Sequence, residues 1–114
     1  MPPADRIRLL HMRDAAREAA AFATGYTPAD LADDRLRALA LIKRIEIIGE
    51  AASRVSSDTR SRFPHIPWAD IVGTRNRLIH AYFDIDLERV CDTIASDLPS
   101  LLKSLESALD HDEA

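Results

Sequence analysis

The sequence predicts an all-α fold, an antiparallel bundle of four to five helices. Three observations predict it. Apolar residues recur at helical spacing along most of the chain. Only three glycines occur in 114 residues and aromatic residues make up 5%, too little for a succession of tight turns. No segment shows the period-two alternation of a half-buried strand. A chain of this length forms one domain, residues 1–114. It buries roughly two-thirds of its unfolded surface, so its core needs neither metals nor disulfides.

The first helix is expected from about Pro3 to Ala23, with Ile7, Leu10, Ala15, Ala19 and Phe22 among its apolar positions. Gly25 is its stop, because glycine takes the left-handed conformation without penalty. Thr27 before Pro28 reads as an N-cap followed by proline at the first position of a short helix, Pro28–Ala32. A second long helix covers about Asp34 to Val55, with Leu36, Leu39, Ile45, Ile48, Ala52 and Val55 in a wide apolar stripe. Gly49 lies inside that pattern. A mid-helix glycine costs about 1 kcal/mol relative to alanine, so it marks the close approach of another backbone. Ser56 or Ser57 caps a short helix that ends at Arg62. Phe63-Pro64-His65-Ile66-Pro67-Trp68 is a loop, since two prolines three residues apart stop a helix from running through. Pro67 opens the next helix, expected to reach about Phe83. The last helical pattern runs from Leu87 to Leu109, with Pro99 predicted to break or kink it and His111 to Ala114 to fray.

Composition excludes several functions. The single cysteine, Cys91, leaves no intrachain disulfide and no multi-cysteine zinc site. No apolar run approaches the roughly 20 residues of a membrane-spanning helix. The N-terminal stretch lacks a signal-peptide pattern, so the cytoplasm is the expected compartment. The formal net charge of −4 argues at first against a nucleic-acid partner. It conceals an asymmetry: residues 1–83 hold 13 Arg and Lys against 10 Asp and Glu, and residues 84–114 hold 2 against 9. Thirteen of the fifteen basic residues are arginine, the residue suited to bidentate phosphate contacts.

The stretch richest in chemistry is Arg75-Asn76-Arg77-Leu78-Ile79-His80-Ala81-Tyr82-Phe83-Asp84. On a continuous helix Asn76 and His80 lie one turn apart on one side, and Arg75 and Tyr82 share a stripe. Arg75 and His80 differ by about 140° and flank a cleft. Such a set suits metal-free phosphodiester cleavage. Histidine transfers protons near neutral pH, arginine stabilises charge growing on a phosphoryl oxygen, and RNA supplies its own nucleophile, the 2′-hydroxyl. The competing reading is a surface helix face with capping and ion-pair roles. Glu50, amid apolar neighbours, calls for a partner across the bundle such as an arginine near the motif, either as a structural pair or to orient the motif Arg or His. Trp68 reads as core packing, His11 and His65 as structural or surface residues, and Cys91 as a small buried hydrophobe. Asp84 and Asp86 are placed to cap the next helix or to pair with Arg77, and no metal site is expected.

With these residues in view, the chain resembles the HepT-like branch of the HEPN superfamily. Arg75-Asn76…His80 follows the HEPN signature, and Arg75, His80 and Tyr82 follow its HepT-like extension. His11-Met12-Arg13-Asp14-Ala15-Ala16, Ile45-Glu46-Ile47-Ile48-Gly49-Glu50-Ala51-Ala52, Pro64-His65-Ile66-Pro67-Trp68 and Asp97-Leu98-Pro99 resemble that family in the expected order. Cys91 departs from it, standing where many relatives carry an aromatic residue. The resemblance implies a homodimeric HEPN bundle and a metal-independent endoribonuclease without cofactor. It implies the toxin half of a type VII-like toxin–antitoxin pair. By the same resemblance Arg75 and His80 are catalytic and Asn76 orients groups around them. Beside them Arg77 and Glu50 are expected as RNA-binding or supporting residues, and dimerisation would set two motif helices side by side and concentrate Arg75 and Arg77 in one cleft. The implied partner is a minimal nucleotidyltransferase antitoxin of the MntA kind, which transfers AMP to Tyr82. The alternative is a catalytically silent HEPN dimer that binds RNA or the nucleotidyltransferase.

Overall fold

The computed structural model describes residues 1–81 and 84–113, with the side chains of residues 80, 81 and 113 left aside. It is an α-helical bundle carrying one small hairpin. Helix α1 spans Pro3–Ala23, α2 Pro28–Ala32, α3 Arg35–Ser53, α4 Ser57–Arg62 and α5 Trp68–Leu78. Strands β1 (Ile79–Ala81) and β2 (Asp84–Ile85) follow. Helix α6 (Leu87–Asp92) then continues through a π-helical turn, Thr93–Asp97, into α7 (Leu98–Glu113). Four long rods thus make the bundle: α1, α3, α5 and the combined α6–α7. Among the described residues no helix is long and apolar enough to cross a membrane.

Local chemistry sets most boundaries. Gly25 has φ +81 and ends α1, and the Tyr26 amide donates to the Ala23 carbonyl at 3.0 Å. Thr27 and Asp30 form a reciprocal capping box at the start of α2. Asp34 and Ser56 accept the first free amides of α3 and α4, from Arg37 and Thr59. Central to the packing is α3, with α1 on one side and α5 on the other. Contacts between the ends of α1 and α3 fix them antiparallel: Arg37 of α3 donates to the Phe22 carbonyl, while Ser56 just past α3 reaches Asp5. The core holds Leu9, Met12, Leu41, Ile66, Leu78, Val90 and Leu105, each at most 2% exposed. Trp68 packs against it as expected, its indole N–H donating to the Phe63 carbonyl at 3.1 Å.

Gly49 does what its position demanded. A Cβ there would stand 3.3 Å from the Ile71 carbonyl oxygen and 3.7 Å from that of Val72. The absent side chain lets α5 cross α3 at backbone contact. Gly73, by contrast, meets nothing nearer than an Arg77 guanidinium nitrogen at 3.8 Å, so it receives no second backbone.

One buried polar cluster ties α1 to α4. The Asp5 carboxylate accepts from the Ser56 amide (3.1 Å), the Ser56 hydroxyl (2.6 Å) and the Thr59 hydroxyl (2.6 Å). Asp5 is 4% exposed and Thr59 1%. Burial alone raises the Asp5 pKa, but the donors from Ser56 and Thr59 outweigh it and hold the carboxyl below its ordinary value.

Three expectations are corrected. The motif helix ends at Leu78 instead of near Phe83. Ile79 turns extended (φ −124, ψ 111), and the chain pairs Ile79 with Ile85 and Ala81 with Asp84, closed by the Asp86 amide on the Leu78 carbonyl at 2.8 Å. Ile79 and Ile85 pack against the core, so burial of two β-branched side chains wins over helix continuation. Of the break or kink expected at Pro99, the break does not occur. The turn before it widens, with the Leu98 amide reaching five residues back to Thr93, which accommodates the missing proline N–H and its ring. Finally, the helix continues to Glu113 where fraying was expected; Arg6 donates to the Leu109 carbonyl and to Asp112, both at 3.3 Å.

Candidate active site

The last turn of α5 presents Arg75, Asn76 and Arg77, all exposed. The crossing at Gly49 positions them. Because α3 and α5 run antiparallel, stepping one turn onward from Ile71 and Val72 on α5 corresponds to stepping one turn back from Gly49 on α3. That step brings Arg75 opposite Glu46. The Arg75 Nε donates to Glu46 Oε1 at 3.0 Å. Both side chains are partly solvated, so the pair adds at most about 1 kcal/mol of stability. Its consequence is geometric: with Nε held, the two terminal nitrogens of the guanidinium remain to engage a ligand.

Arg75 lines a groove of about 430 Å³ with residues of three helices. Helix α1 contributes Arg8 and His11, α3 contributes Lys43, Glu46, Ile47 and Glu50, and α5 contributes Val72 beside Arg75. Arg77 stands on the other side of α5. Its Nη2 donates to the Asp70 carbonyl (3.2 Å) and the Thr74 hydroxyl (3.0 Å), both on its own helix. It borders a second cavity of about 340 Å³, floored by Ile45, Ile48, Ile71 and Leu101. Among the described residues no three His, Cys, Asp or Glu side chains converge as a metal-binding cluster.

A family profile described as "Ribonuclease HepT-like" matches residues 12–108. The chain belongs to the HepT-like ribonuclease family. Over 67 residues it is 43% identical to "Putative RNase MJ1380" of Methanocaldococcus jannaschii, covering 59% of this chain and 62% of that one. Over 77 residues it is 38% identical to "Probable ribonuclease HepT" of Thermococcus cleftensis, covering 68% and 70%. Over 80 residues it is 32% identical to "Putative RNase TTE0752" of Caldanaerobacter subterraneus, covering 70% and 71%. The chain spans only 58–62% of the length of the first three curated relatives it matches. No solved structure matches it significantly.

In this HepT-like chain the expected residues fall into distinct places. Asn76 follows Arg75 at the helix end, and its side chain makes no hydrogen bond to another described residue. The backbone of His80 lies in β1, not on α5, so the helical relation between Asn76 and His80 does not hold. Tyr82, and with it the stripe shared with Arg75, lies outside the described residues. Glu50 needs no buried partner: it is exposed and binds Arg54 one turn along its own helix at 2.8 Å. The acidic partner of Arg75 is Glu46, which sequence reasoning passed over. Its signal was the Gly49 crossing combined with antiparallel packing. Arg75 and Arg77 do not share a cleft within one chain, since residues two apart on a helix point about 200° apart. Asp86 caps α6 through the Arg89 amide at 3.1 Å. Cys91 is half-buried; burial pushes its thiol pKa up and the Asp92 charge adds to this, which makes it a poor nucleophile.

Proposed function

We propose that this chain is a metal-independent endoribonuclease, the toxin of a type VII-like toxin–antitoxin pair. The observation that carries the reading is Arg75, held at Nε by Glu46 at the mouth of a cation-lined groove, in a chain of the HepT-like ribonuclease family. RNA cleavage then proceeds by attack of the 2′-oxygen on the adjacent phosphorus. The 2′-hydroxyl loses its proton, the O2′–P bond forms, and the P–O5′ bond breaks as the 5′-oxygen takes up a proton. A 2′,3′-cyclic phosphate results. His80 carries a proton at one of these two oxygens, and Arg75 stabilises the charge growing on the non-bridging oxygens. Asn76, exposed on the same turn, positions the phosphate or the sugar.

A homodimer completes the cleft in this reading. Support comes from apolar surface left open on α3, with Leu36 84% and Leu39 42% exposed. The partner is a minimal nucleotidyltransferase antitoxin. It joins the Tyr82 phenolic oxygen to the α-phosphorus of ATP with loss of pyrophosphate, placing negative charge and adenylate bulk beside the motif.

The test is cleavage of single-stranded RNA in excess EDTA, with 2′,3′-cyclic ends expected and with His80→Ala inactive. Binding without cleavage by the parent chain favours the silent module instead. Co-expression with the nucleotidyltransferase is expected to add AMP mass that Tyr82→Phe abolishes.

A further inference from the structure

We propose that Arg8 and Lys43 form a phosphate-binding subsite that holds the RNA backbone beside the bond to be cut. The inference rests on the ribonuclease reading above and deepens it, because it assigns the path the strand takes to Arg75.

Three observations converge. The first is the groove: Arg8, Lys43 and Arg75 come from three different helices and line one concavity of about 430 Å³. Neighbouring helix axes lie about 8–10 Å apart, so a groove from α1 across α3 to α5 spans more than one phosphate. The second is the pairing of charges. The two carboxylates in the groove are already engaged, Glu46 by Arg75 and Glu50 by Arg54. Elsewhere the arginines are mostly neutralised: Arg13, Arg17, Arg37, Arg44 and Arg89 each hold a carboxylate. Among the described residues Arg8 and Lys43 have no ion-pair partner, although Arg8 is half-buried. A partly desolvated cation without an anion is stabilised by a ligand that brings one. The third is the contrast across α5, where the second cavity offers one arginine against Asp70 and Asp97 and so draws no polyanion.

Taken together these features describe a track for a single-stranded phosphodiester backbone. Arg8 and Lys43 touch phosphates away from the reacting bond, so they contribute affinity and register and no chemistry. Ile47 and Val72 add apolar lining to the same groove.

The experiment uses the intact chain and a mixed-sequence single-stranded oligoribonucleotide. Binding is read by anisotropy between 50 and 200 mM KCl on a cleavage-blocked version carrying 2′-deoxy sugars, and KM and kcat on the all-ribose strand. Arg8→Ala/Lys43→Ala is expected to raise Kd and KM about ten-fold and leave kcat within about two-fold. Its salt slope is expected to fall by about 1.4, roughly 0.7 for each lost phosphate contact. Arg8→Lys and Lys43→Arg keep the charge and are expected to restore binding, which separates loss of contact from loss of fold. Lys103→Ala on α7, outside the groove, is expected to bind like the parent. A double variant with the parent's Kd and salt slope overturns the subsite while the ribonuclease reading stands. So does a Lys103→Ala variant that loses as much as the double variant. A parent chain that neither binds nor cleaves the oligoribonucleotide overturns both.

Discussion

Arg75 and Arg77 sit on one turn of one helix, two residues apart, and meet opposite surroundings. Arg75 faces α3, where Glu46 holds its Nε at 3.0 Å and the groove brings further cations. Arg77 curls back onto its own helix, donating to the Asp70 carbonyl and the Thr74 hydroxyl. Its cavity is floored by aliphatic side chains and rimmed by hydroxyls. What separates the two arginines is not residue type but the side of α5 each faces. Across the bundle Arg75 meets Glu46, whereas Arg77 finds its partners on its own helix. A guanidinium anchored from another helix at Nε keeps its terminal nitrogens for a ligand, whereas the Arg77 Nη2 is already engaged on its own helix.

The largest expected effect breaks this comparison directly. Arg75→Ala lowers kcat/KM for RNA by about 100-fold or more, the usual loss when a group stabilising transition-state charge is removed. Arg77→Ala stays within a few-fold of the parent. Single-turnover cleavage of one RNA by both variants measures the ratio, and equal losses would show that the two sides of α5 are equivalent.

Both sides stand on a platform that Asp5 clips together. Asp5→Ala leaves the buried hydroxyl of Thr59 and the start of α4 without their acceptor and costs about 2–3 kcal/mol in urea unfolding. Because the folded Asp5 pKa lies below the unfolded one, its stabilisation is complete above the ordinary aspartate range. It is lost as pH falls through the lower folded value. Unfolding midpoints measured from pH 6 down to pH 2 are therefore expected to fall more steeply for the parent than for Asp5→Ala in that acid window. Parallel curves would remove the cluster from the account.

A smaller effect sharpens the comparison. Glu46→Gln keeps an acceptor but removes the charge, and it is expected to lower kcat about ten-fold, or about 1.4 kcal/mol, with KM little changed. Asp70→Asn, on the Arg77 side, is expected to leave kcat unchanged and to shift stability by no more than about 0.5 kcal/mol. If Glu46→Gln lowers stability and leaves kcat untouched, the Arg75 pair is structural only.

Particular residues show how far the sequence carried. The spans of α1 and α2, the Thr27 cap, the Ser56 cap and the Gly49 crossing were legible because each depends on side chains within a few residues or on the absence of one. The opposite placement of Arg75 and Arg77 within one chain was also legible, from helix geometry alone, and the shared cleft expected of them belongs to two chains side by side. The hairpin at Ile79–Ile85 was not legible: Leu78 and Ile79 continue the helical pattern, and only the core beneath them rewards an extended chain. Glu50 appeared to need a buried partner because its neighbours in sequence are apolar. In the bundle it lies on the outward side of α3, where Arg54 and water suffice.

The sequence by itself determined an all-α bundle, most helix limits and the motif around Arg75, because periodicity, caps and glycine conformation are local properties of the chain. The tertiary structure decided where the motif helix stops, that Pro99 widens its helix without breaking it, and that Glu46 is the residue opposite Arg75. It also decided that Arg8 and Lys43 share the groove with Arg75. Those outcomes depend on which surfaces meet across the bundle, and the energy of such a meeting lies in burial and charge pairing between residues far apart in the chain.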